Sequence, residues 1–243
     1  MTSPRLRRRL VRHHLALGVA TGAALLALYA LTPSEDPTFR WSMATAYVGL
    51  ALLGLSLATG PLNVLRRRPN PVSTDLRRDV GHWAGVVSIA HFAVGWQVHM
   101  PHRYLYWLRE VEGTHALAPR ADLFGFANYT GLLAVVIAAL LLALSNDRAL
   151  RALGTRRWKA WQRGTDALFA LVLAHGVAYQ VVEKRQAAFV AAFAVVALAV
   201  AAVQGAGYRA RSRARGAALR ARKAQGTGTN APTLAASRPH LPP

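Results

Sequence analysis

Six apolar segments of about twenty residues constrain this chain more than any other feature. A helix needs about 20 mostly apolar residues to cross the hydrocarbon core of a bilayer. Overall, 53% of the residues are hydrophobic, and charges cluster between the segments. We therefore predict an all-α integral membrane protein that folds as a six-helix bundle. The predicted spans are residues 14–32, 41–60, 81–100, 124–145, 164–182 and 186–207.

These spans divide the chain into three regions. Residues 1–13 form a basic tail, residues 14–207 the membrane domain, and residues 208–243 a second basic tail whose composition predicts disorder. The first apolar run is longer than the core of a signal peptide, about 7–15 residues, so we expect an uncleaved first span. Gly60 and Pro61 are expected to end the second span, because proline lacks the N–H that a helix interior uses.

The positions of the basic residues predict the orientation. Of 30 Lys and Arg residues, 24 lie in the two tails and in the 61–79 and 146–163 loops. Positive residues favour the cytoplasmic side, so both termini are expected to be cytoplasmic, in the inner membrane of a bacterium. Topology and anionic lipid then account for the net charge of +20, and no nucleic-acid partner is expected. The 146–163 loop is predicted to be an interfacial helix that Asn146 or Asp147 caps.

Cysteine is absent, which excludes disulfides, thiolate-bound iron–sulfur clusters and covalently attached haem. Nine histidines remain as candidate ligands, and only His91 and His175 lie deep inside predicted spans. The others are expected in solvated tails or near the membrane faces. They include His13, His14 and His240 in the tails, His82 near the cytoplasmic face, and His99, His102 and His115 near the outer face.

The two deep histidines are predicted at matching depth. At about 1.5 Å per residue, both lie roughly 15–18 Å from the cytoplasmic boundary, on spans that run in the same direction. We therefore expect their rings to face each other across the bundle. Intramembrane ionisable residues are costly and mark functional sites by default, so we predict that both are axial ligands of one non-covalent haem b. The alternative for each is a hydrogen bond to a neighbouring carbonyl and no more.

The residues beside each histidine are of sizes that would leave room for a flat ligand such as a porphyrin. Small residues flank His91 on its helix face, and larger ones flank His175 and can form walls. The small residues are Ala84, Ser88 and Gly95, and the larger ones are Leu168, Leu171, Val172 and Tyr179. Small residues also permit close helix packing, which is the alternative explanation.

Two stretches resemble the ferric reductase-like transmembrane domain family. They are LRRDVGHWAGVVSIAH at 76–91, and SNDRALRALGTRRWKAWQR at 145–163 with the His175-Gly176 that follows. The resemblance covers about residues 45–205 and is nearest to single-domain, flavin-free members, such as the haem-binding membrane subunit that serves periplasmic methionine sulfoxide reductase. It implies a six-helix bundle that binds b-type haem and moves electrons.

The resemblance also implies how many haems to expect. Two-haem members carry a pair of histidines on the third helix and another on the fifth, each pair about thirteen residues apart. His91 and His175 match the outer member of each pair, whereas Arg78 and Gln162 stand at the inner positions. Since neither of these is a usual haem ligand, one haem is expected.

Three functions follow as hypotheses. The first is electron transfer from quinol or a separate flavin reductase to an outer-face acceptor, such as a periplasmic reductase; whether the chain is itself an enzyme stays open. The second is a haem-less scaffold or permease with the same fold. The third is ferric or cupric reduction at the outer face, with His99, His102 and His115 collecting the metal.

Overall fold

The computed structural model describes residues 10–68, 75–98, 102–114 and 116–227, and most of these residues are helical. After a π-helical turn at Leu10–Leu15, the helices are α1 (Ala16–Leu31), α2 (Pro37–Leu65), α3 (Asp75–Gly95), α4 (Leu123–Leu144), α5 (Asp147–Gln162), α6 (Gly164–Val182) and α7 (Ala187–Thr227). The segment between α3 and α4 contains a 3₁₀ turn, Arg103–Tyr106, and two antiparallel strands, β1 (Leu108–Glu110) and β2 (Leu117–Pro119). The predicted all-α class is confirmed.

Five helices of the described part are long and apolar enough to cross a membrane. They are Val11–Leu31, Pro37–Leu65, Leu123–Leu144, Asp147–Val182, which joins α5 and α6, and Ala187–Ala221. The bundle therefore has the proportions of a multi-pass membrane protein. Helix α3, which carries His91, is not among the five, because charged residues such as Arg78 and Asp79 occupy its first turns.

Helix α2 is the centre of the bundle. It packs against α1, α3 and α7, and α4 packs against α3 and α6. The core that these helices share includes Leu53 and Leu57 of α2 and Leu168 of α6. Large apolar side chains elsewhere point outward; Leu198 of α7, for example, is 69% exposed. An apolar outer surface of this kind suits contact with lipid.

The predicted end of the second span is wrong, because Pro61 lies inside α2, which continues to Leu65. Proline leaves the carbonyl four residues earlier without its usual donor. Here the Gln204 side chain of α7 supplies one, since its Nε2 donates to the Leu57 carbonyl oxygen over 3.3 Å. Gly207 lets α7 approach at this point, since a Cβ there would lie 2.6 Å from the Pro61 Cβ.

Helix α7 also differs from the prediction. It continues past residue 207 as far as Thr227, where the sequence predicted an irregular tail from residue 208. By contrast, the predicted helix over 146–163 is confirmed as α5. The Asn146 side chain caps it by accepting from the Ala149 N–H over 2.8 Å. Gly154, at φ 69°, kinks it in the middle.

Several predictions fall outside the described residues. These concern His99, His115 and His240, the first nine residues, and residues 228–243.

The expectation that His13 and His14 are solvated is wrong, because both contact Asp79 of α3. The His13 Nδ1 lies 2.7 Å from one Asp79 carboxylate oxygen, and the His14 Nε2 lies 3.3 Å from the other. The Asp79 side chain is fully buried. A buried carboxylate requires hydrogen-bond donors; the His13 ring provides one, and the His14 ring lies beside the other carboxylate oxygen. The contact ties the start of the first span to the start of α3.

Replacing Asp79 with alanine should therefore destabilise the bundle by about 2 kcal/mol, because buried hydrogen bonds to a charged group are lost. Thermal unfolding of the purified protein in detergent would measure the change. The matched control is Asp147→Ala, which removes the 2.7 Å salt bridge with Arg78 at a carboxylate that is 66% exposed. Exposed pairs contribute about 0–1 kcal/mol, so equal losses in the two variants would refute a structural role for Asp79.

Candidate functional site

His91 of α3 and His175 of α6 meet inside the bundle. Their ring centroids are 6.2 Å apart and their planes are inclined by 76°. The predicted approach of the two rings is therefore confirmed. Two imidazoles on opposite sides of one metal ion, each with a metal–nitrogen bond of about 2 Å, have ring centres roughly 6 Å apart. The spacing thus matches that of a pair of axial ligands.

The hydrogen bonds of the two rings define their tautomers. The His91 Nδ1 lies 3.1 Å from the Ser42 carbonyl oxygen, and the His175 Nδ1 lies 2.8 Å from that of Ala127. The Thr45 hydroxyl lies 3.3 Å from the His91 Nδ1 as well. Since a carbonyl oxygen can only accept, each Nδ1 carries the proton. In the neutral ring the Nε2 lone pair is then available to a metal, and a second hydrogen bond orients such a ligand.

A cavity surrounds the two rings. About 180 Å³ of it is open to the centres of water-sized molecules, far more than the roughly 10–15 Å³ that one water needs. It is therefore a ligand-sized space and not a packing defect. Its apolar walls come from α2, α4, α6 and α7 and include Leu50, Leu53, Val135, Leu168, Val172 and Phe193. Ser88 and Gly95, two of the small residues predicted beside His91, also line it.

Gly131 of α4 is needed for the His175 ring to occupy its position. A Cβ at residue 131 would lie 2.6 Å from the His175 Nδ1 and 2.7 Å from its Cε1. The missing side chain therefore makes room for the imidazole beside α4. Gly176 likewise makes room for a ring, because a Cβ at residue 176 would collide with the Phe193 side chain.

A hydrogen-bond network closes one end of the cavity. We call this the loop end, because the 102–122 segment lies there. The Tyr106 hydroxyl donates to the Gly95 carbonyl oxygen over 3.1 Å. The Asn128 amide donates to the Tyr106 carbonyl over 3.0 Å and accepts from the Tyr179 hydroxyl over 2.7 Å. These bonds hold a buried aromatic side chain between the cavity and the loop.

An ion pair braces the same loop. Arg120 donates to the Leu105 carbonyl oxygen over 3.1 Å and pairs with Asp122 over 2.9 Å. Asp122 also caps α4 by accepting from the Gly125 N–H over 2.7 Å. Hydrogen bonds from Arg120 hold the pKa of Asp122 below its usual value, so the carboxylate stays ionised at neutral pH.

The two inner positions, Arg78 and Gln162, have different surroundings. Arg78 donates to the Ser145 carbonyl oxygen over 3.0 Å and pairs with Asp147, so its guanidinium binds the turn between α4 and α5. The Gln162 Nε2 is buried without a partner among the described residues. Neither side chain offers a ring nitrogen to a metal.

The remaining described histidines do not join this site. His102 stacks on Tyr104, with ring centroids 5.6 Å apart. The buried His82 Nδ1 has no hydrogen-bond partner in the part of the chain that the structure describes, and the His82 ring centroid lies 6.3 Å from that of His14. Within the described ranges, no group of three or more His, Asp or Glu side chains is arranged to hold a metal ion.

Sequence reasoning missed two features of the cavity. Tyr106, which lies in the segment between two predicted spans, is 3% exposed and lines the cavity. Arg185, counted only as a loop charge, also lines it. The sequence shows only that both residues lie between spans. Their position beside the cavity depends on how the loops fold back over the bundle, which no local pattern indicates.

Comparisons with known protein families, with curated proteins and with solved structures returned no match for this chain.

Proposed function

We propose that this protein is a membrane electron carrier that binds one haem b between His91 and His175. In this proposal α3 is the sixth span, both termini are cytoplasmic, and the membrane is the inner membrane of a bacterium. The observation that supports it best is the pair of rings, 6.2 Å apart, whose Nδ1 atoms are both bound by main-chain carbonyls. Two imidazoles at this spacing would hold the iron of a haem between them.

The residues of the chain bind and orient the cofactor. Haem b, when bound, supplies a one-electron couple. The carbonyls of Ser42 and Ala127 hold both imidazoles in the tautomer that presents Nε2 to the cavity. The apolar walls lower the local dielectric and exclude water, and the Tyr106 network covers the loop end. Quinol or a separate flavin reductase is the proposed donor, and a periplasmic reductase or another outer-face protein the proposed acceptor.

The resemblance of residues 76–91 and 145–176 to the ferric reductase-like transmembrane domain family supports this proposal. The same two stretches carry both histidines and the turn that binds Arg78.

An absorption spectrum of the purified protein, oxidised and then reduced with dithionite, tests the proposal. We expect a Soret band, the sharp reduced bands of a haem with two histidine ligands, and about one haem per chain. If the protein contains no haem after expression with excess haem precursor, the electron-carrier proposal is wrong. The scaffold or permease hypothesis would then be preferred.

A further inference from the structure

Arg185 is a basic side chain at the loop end of the cavity, in the turn between α6 and α7. Its guanidinium carbon lies 4.9 Å from the centre of the Phe39 ring. Among the described residues, this guanidinium donates no hydrogen bond and forms no salt bridge. Its five N–H donors therefore lie beside an aromatic face and are paired with no hydrogen-bond acceptor among the described residues.

Burial and a neighbouring carboxylate both act on the charge of Arg185. Burial lowers the pKa of the guanidinium, although Glu183 nearby partly offsets this effect. Gln180, which also lines this part of the cavity, donates from Nε2 to the Tyr47 hydroxyl over 3.0 Å. Its Oε1 is buried and has no partner among the described residues. Gln180 therefore offers an acceptor and not a donor, and Arg185 is the one Lys or Arg side chain among the described residues that line this mostly apolar cavity.

We propose that Arg185 binds a carboxylate of the ligand in this cavity, and that for haem b this carboxylate is a propionate. This inference depends on the proposed function. It gives the cofactor a direction, with the carboxylates at the loop end and the apolar edge among Leu53, Leu168 and Val172. An arginine fork matches the geometry of a carboxylate, and charge-assisted hydrogen bonds are about twice as strong as neutral ones.

The test compares haem b with haem b dimethyl ester, which has the same iron and ring but no carboxylates. The apo protein is loaded with each in turn, and the dissociation rate is measured by transfer to excess apomyoglobin. The wild-type protein should retain haem b at least about tenfold longer than the ester. Arg185→Gln should lose haem b about as fast as the ester, whereas Arg185→Lys should recover part of the difference because the charge is restored.

Lys184→Gln is the matched control, since it removes an exposed positive charge from the same turn without touching the cavity. It should behave like the wild-type protein. A second readout is the reduction potential, which should fall in Arg185→Gln because a cation beside the haem favours the reduced form. The proposal is overturned if the wild-type protein does not distinguish the two compounds, or if Arg185→Gln still does. If the wild-type protein retains neither compound, the proposed haem site itself fails.

Discussion

Replacing His91 or His175 with alanine is expected to reduce bound haem by more than about tenfold. Each substitution removes one of the two imidazoles that line the cavity in the described part of the chain. The rest of the bundle should survive, since both rings are half-buried and face an open space. The Soret absorbance per chain, measured after purification at equal expression, gives the result directly.

Two further variants make this expectation specific. His102→Ala removes a histidine that stacks on Tyr104 outside the cavity, so it should leave the haem spectrum unchanged. His175→Gly with imidazole in the buffer should recover part of the Soret band, since the free ligand can enter the vacated position. A full Soret band and an unchanged reduced spectrum in His91→Ala would show that the ligand assignment is wrong.

Gly131→Ala is expected to weaken haem binding by about ten- to hundredfold, although both proposed ligands remain in the sequence. The added methyl group would lie 2.6 Å from the His175 Nδ1, closer than atoms can approach. The ring cannot move aside without losing its 2.8 Å hydrogen bond to Ala127. Haem titration of the apo variant, followed at the Soret maximum, measures the loss.

Gly205→Ala is the matched control for this substitution. Gly205 lies in α7, and a Cβ there would meet no heavy atom within 4 Å. Both substitutions replace glycine in a helix interior and should raise helix propensity by about 1 kcal/mol, so they differ only in what the methyl group contacts. If Gly131→Ala binds haem as tightly as Gly205→Ala does, the His175 ring is not confined as described.

The meeting of His91 and His175 could be predicted from the sequence because helices rise by a constant amount. Counting residues from a membrane boundary gives a depth, and the alternation of spans gives a direction. Neither requires knowledge of side-chain packing. Ligation of haem by the two rings stays a prediction, since it depends on a group outside the chain.

The features that the sequence did not reveal involve contacts between distant segments. Asp79 meets His13 across 66 residues, and the pairing depends on how α1 packs near α3. Pro61 ends a helix in isolation, but Gln204 of α7 supplies the donor that allows α2 to continue. Arg185 reaches the cavity through a turn in which Lys184 has a φ of 46°. Local patterns contain no information on any of these partners.

The main-chain acceptors of the two imidazoles have an evolutionary consequence. Substitution at Ser42 or Ala127 cannot delete a carbonyl, so each hydrogen bond to a ring survives a change of side chain that the packing allows; at Ala127, which is fully buried, only small side chains fit. Insertion or deletion of one residue is different, because it rotates everything beyond it by about 100° around the helix. Related chains should therefore vary in composition around this site while keeping the residue count along α2 and α4 unchanged.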